Sequence, residues 1–114
     1  MNQYTQMVLY TDADGWARFR EEAVPLDEGT PAARLSSLMK ASALQWRESP
    51  VGFTSDFHCT GTPQWLVVLQ GFGPGQLFFS ADTVPEGQVF DPARHGHRSR
   101  QVGDEPLVTM FVRA

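Results

Sequence analysis

The apolar residues between Tyr4 and Arg113 come in short runs, each closed within a few positions by Gly, Pro or Asp, and almost no stretch has room for a crossover helix. Parallel strands need long connections, so this spacing predicts an all-β chain of antiparallel strands, a sandwich or a barrel. Residues 4–10 read as a strand, "TDADG" as a turn, and Trp16 to Phe19 as its return strand. From Pro25 to Ser37 the chain collects Pro, Gly, Ser and Thr and reads as a loop, in which "AARLSSLMKASAL" has the propensity for one or two helical turns. "ALQWRES", "PQWLVVLQG", "GQLFFSADT", "GQVFDP", "HGHRSRQVG" and "PLVTMFVRA" follow as further strand candidates, and Gly73 to Gly75 as a turn. The last of these runs predicts a C-terminus tied into a sheet.

At 114 residues the chain is expected to be one domain around one core. A hydrophobic content of 41% against 19% charged residues excludes a disordered chain, and eight Phe, three Trp and two Tyr favour strands. The formal charge of -4, without a Lys/Arg run, repels phosphate backbones and argues against nucleic acid as a partner. One cysteine rules out an intrachain disulfide and a thiolate-rich zinc site, which suits a reducing cytoplasm. No segment reaches the roughly 18 apolar residues of a membrane span, and the N-terminal residues lack a signal-like basic start, so neither membrane insertion nor export is expected.

The chemistry-bearing residues centre on three histidines. On an extended segment His58 and Thr60 share a face, which Gln64, Leu66 and Val68 continue if the turn at Gly61 to Pro63 keeps phase, with Phe57, Cys59, Trp65 and Val67 opposite. By the same alternation His95, His97 and Ser99 point one way and Arg98 and Arg100 the other. Asp56 stands two residues before His58, where it either orients that ring or caps a turn. Arg94, Arg98 and Arg100 suit either a carboxylate ligand or solvated edge charges. Trp46, Trp65, Phe78 and Phe79 read as packing residues and Cys59 as a small inert hydrophobe.

Gly52, five residues, His58-Cys59-Thr60, three residues, Gln64, six residues and Gly71 resemble the first motif of the cupin superfamily, with Thr60 where the family has its second His and Gln64 where it has Glu. Gly87 to Gln101 resembles the second motif through Pro92, His97 and Gln101, with a gap one residue short and Arg94 in place of a Gly. The resemblance implies a double-sheet jelly-roll barrel, residues 44–112 forming the barrel with both motifs and residues 1–43 the N-terminal strands and loop. It implies a ligand pocket of His58, Thr60, Gln64, His95 and His97, and one divalent metal (Zn, Fe, Mn or Ni) on His58, His97 and the Gln64 amide oxygen. Gln lacks the charge of Glu and Thr lacks an imidazole nitrogen, which weakens such a site, and His95 compensates only if Gly96 lets the turn bend inward.

Three functions follow from the resemblance: a metal-poor pocket binding a small organic molecule, a metal-dependent isomerase, lyase or dioxygenase on His58 and His97, and metal-free acid–base chemistry with His58 as base. The last lacks an acid partner, since Tyr4 and Tyr10 are the only tyrosines and lie far from the motifs. Cupins commonly pair through edge strands, so the apolar strand Met7 to Tyr10 is expected to build a homodimer.

Overall fold

The computed structural model describes residues 3–71 and 76–114. The turn expected at Gly73 to Gly75 lies outside them. Among the described residues there are eight strands and no helix: β1 Gln3–Thr11, β2 Ala17–Pro25, β3 Glu28–Thr30, β4 Ala33–Leu35, β5 Ala43–Ser49, β6 Gln64–Gln70, β7 Leu77–Ser80 and β8 Leu107–Arg113. Six form one sheet in the order β2-β1-β7-β6-β8-β5, and β3 and β4 form a separate hairpin. The helical turns allowed for around residues 33–44 are absent; the short β4 and irregular chain stand there instead.

β1 and β2 join as expected through the Asp-rich turn. The Asp12 carbonyl accepts the Gly15 N–H, and Arg18 holds both Asp14 oxygens at 2.6 and 2.7 Å, which keeps the Asp14 carboxyl down at about 2. Two expectations are corrected. The sheet is mixed, because β1 runs parallel to β7 (Met7 beside Phe78, Leu9 beside Ser80). The chain between them is long enough to permit a parallel pair. β1 is also an interior strand, flanked on both sides, so the segment Met7 to Tyr10 has no free edge with which to recruit a second copy. The C-terminal strand β8 lies between β5 and β6, tied in as anticipated.

The sheet does not close into a barrel. "GQVFDP" and "HGHRSRQVG" form no continuous strand; the second meets the chain around residues 52–60 through two isolated bridges, His58 with His97 and Thr54 with Arg100. Further bonds complete this irregular ladder: Ser55 N–H to the Ser99 carbonyl and Gln101 N–H to the Phe53 carbonyl, both near 2.9 Å. Its ends are fastened to the sheet by Thr60 N–H on the Asp82 carbonyl and Ala17 N–H on the Arg94 carbonyl. Gln101 is the latch. Its buried amide donates to the carbonyls of Val102, Gly103 and Glu105, and its Oε1 accepts the Gly52 N–H at 2.8 Å, joining the last residue of one motif to the first of the other. Among the described residues the buried hydrophobic side chains are few (Val8, Leu9, Val24 and Val68), all on the sheet.

Candidate functional site

Strand alternation places Leu66 and Val68 of β6, Phe78 of β7 and Thr109 and Phe111 of β8 on one face of the sheet, as their cross-strand pairing requires. Phe53, Ser99 and Arg100 of the ladder stand over them, and Arg47 closes the side from β5. The space enclosed is a largely apolar recess of about 230 Å³. Arg47 lies with its guanidinium carbon 4.9 Å from the centre of the Phe53 ring and 5.9 Å from that of Phe111. The expected alternation therefore fails at its end. Ser99 and Arg100 both line the recess, because His97 and Arg100 sit in separate bridges and the segment between them is not a regular strand.

One step further along β7, Ser80 faces the same side as Phe78, about 7 Å away by strand geometry. Here a polar cluster is built. Asp82, 1% exposed, accepts from His97 Nδ1 at 2.8 Å on one oxygen and from the Ser80 hydroxyl at 3.2 Å on the other, which the Thr60 hydroxyl oxygen approaches to 3.4 Å. The Thr60 and Ser80 hydroxyls also bond each other. Burial lifts the Asp82 carboxyl, but the hydrogen bond and charge of His97 with the donated backbone and Ser80 bonds outweigh it, so the group lies below the usual carboxylate range. Burial and the neighbouring Asp82 charge push the Cys59 thiol up, consistent with an inert cysteine.

His58 and His97 face each other, their ring centroids 4.7 Å apart. His58 Nδ1 donates to the Asp56 backbone carbonyl at 2.7 Å, a bond that any residue at 56 could accept, and among the described residues the Asp56 carboxylate forms no dyad with this ring. With Nδ1 of each ring taken by a protein acceptor, Nε2 is the nitrogen left for a ligand. Gly96 makes the approach possible: a Cβ there would lie 2.6 Å from the His58 carbonyl oxygen, and its φ of +77° suits glycine.

The other expected site residues are elsewhere. His95, 2% exposed, accepts the Asp91 N–H on Nδ1 and donates Nε2–H to Gln88, which uses both nitrogens inside its own turn. Gln64 sits on β6 opposite Ser80 and Arg113 and lines a second recess with Leu44, Gln45 and Phe111. Among the described residues no three His, Cys, Asp or Glu side chains converge as a metal site. Thr60 is committed to Ser80 and Asp82, so the donors that fit a divalent cation are the two Nε2 atoms alone. Asp82 was the residue not singled out in the sequence, although "FFSAD" at period two puts Phe78, Ser80 and Asp82 on one side. No helix of the described residues is long and apolar enough to cross a membrane. No protein-family model, curated protein or solved structure matches the chain.

Proposed function

We propose that this chain is a binding domain for a small organic molecule, taken up in the recess between the sheet and the ladder. The observation that carries this is the recess itself: an apolar space over one sheet face with a few polar groups at its walls is the usual form of a small-ligand site. A cavity of about 150 Å³ accommodates benzene, so this one has space for a ring and a substituent. The ladder over the six-stranded sheet fits a distorted jelly roll of the cupin kind, and the single thiol suits the cytoplasm. Neither nucleic acid nor a membrane is needed by this reading, and a second copy of the chain is proposed as its protein partner.

A thermal-shift screen of small aromatic and branched compounds tests the pocket. Ligands should raise the melting temperature of the wild type and leave Ser99→Trp, whose indole would fill the recess from its exposed wall, unchanged. Equal shifts in both proteins would remove the recess from the account.

The free Nε2 atoms of His58 and His97 favour a second reading, a metal-dependent isomerase, lyase or dioxygenase in which the two rings hold a zinc, iron, manganese or nickel ion that acts as a Lewis acid. Metal per chain would then approach one and fall in both His58→Ala and His97→Ala. Content independent of both histidines would end it.

A further inference from the structure

We propose that the ligand of the recess is an organic acid, an aromatic or branched apolar body carrying one carboxylate that is bound by Arg47 and Arg100. The inference rests on the pocket reading above and names the chemistry of its ligand.

Arg47 and Arg100 both line the recess, and no Asp or Glu lines it with them. Arg18 is neutralised locally by Asp12 and Asp14, Arg20 by Glu22 and Arg94 by Asp91, while Arg34, Arg98 and Arg113 form no ion pair among the described residues and lie outside the recess lining. Arg47 and Arg100 form no ion pair and donate no side-chain hydrogen bond among the described residues, in a protein with thirteen acidic residues and a net charge of -4. Two arginines thus border an apolar floor that holds no acidic residue. Arg47 is also held in a useful pose. Its guanidinium carbon lies 4.9 Å from the centre of the Phe53 ring, a cation–π contact that uses none of its N–H groups and leaves them for a carboxylate. A neutral ligand would use the apolar space alone, whereas an acid also meets the arginines at its exposed wall. Phe53, Phe78 and Phe111 supply the surface for its body.

The test compares phenylacetate with phenylacetamide, of the same shape without the charge, by calorimetry on the wild type, Arg47→Gln and Arg100→Gln. The wild type should bind the acid at least about tenfold more tightly, which is about 1.4 kcal/mol. Each substitution should weaken the acid several-fold, leave the amide within about twofold, and reduce the salt dependence of acid binding. Equal affinity for acid and amide in the wild type, or an acid preference indifferent to both arginines, overturns the carboxylate while the pocket stands. Binding of neither probe, together with no response of the wild type in the neutral-compound screen, overturns the pocket as well. Circular dichroism of the two variants should match the wild type, since both side chains are exposed.

Discussion

Asp82 holds its proton less tightly than a free aspartate, so its stabilising contribution is complete above the unfolded-state value of about 4 and is lost as pH falls through the lower folded-state value. Asp82→Asn should cost about 1–3 kcal/mol at pH 7, as removal of a charged partner from buried donors does. Urea titrations should find that gap narrowing at pH 3; a gap that does not change would mean His97 contributes nothing to the carboxylate. Gly96→Ala should cost more than Gly87→Ala, by about 1–3 kcal/mol. Both have φ near +80°, but only at position 96 would the new methyl meet the His58 carbonyl, while nothing lies within 4 Å at 87. Equal losses in denaturation would show that the His58–His97 approach is not tight. At this scale His58 and His97 were legible from motif spacing, whereas the bond from His58 to residue 56 runs to a backbone carbonyl and owes nothing to the Asp side chain. His95 was not, because a turn that satisfies both imidazole nitrogens internally leaves no trace in the spacing.

At the scale of elements, β1 joins the hairpin to the rest of the sheet, and Leu9 is buried where it pairs with both Phe19 and Ser80. With so few fully buried hydrophobic side chains, Leu9→Ala should destabilise by about 2–5 kcal/mol. Phe19→Ala, at an exposed position directly opposite, should stay within about 0.5 kcal/mol. Comparable losses would mean that the sheet face over Leu9 is not where the core lies. The strands β1, β5, β6 and β8 were readable because alternation and turn residues coincide in them. The parallel contact of β1 with β7 was not, since pairing across about 70 residues is set by the whole sheet and leaves no local pattern. Nor was the ladder, where bridges three residues apart break the period-two rule that the sequence invites one to apply.

The whole molecule exposes 7930 Å², against about 6,200 Å² expected for a compact monomer of this mass, and its radius of gyration of 15.6 Å exceeds the roughly 13 Å of a compact chain. An excess of about 1,700 Å² per chain is what an obligate homodimer buries. The sheet face turned away from the recess carries Trp46, 64% exposed, beside Met110 and Val67, an apolar row suited to a second copy. Sedimentation equilibrium at micromolar concentration should give twice 12.7 kDa, and Trp46→Glu should give one chain. A wild-type mass of one chain would mean the exposed face is tolerated in a monomer. The recess faces the other way, so ligand binding should survive in either state. Its occupancy is tested most directly by amide NMR on the isotope-labelled chain titrated with phenylacetate. The account predicts saturable shifts centred on Phe53, Leu66, Phe78, Ser99, Thr109 and Phe111, with smaller ones at Ser80 and His97 next along the sheet. Shifts confined to His58 and His97, or scattered without saturation, would contradict it.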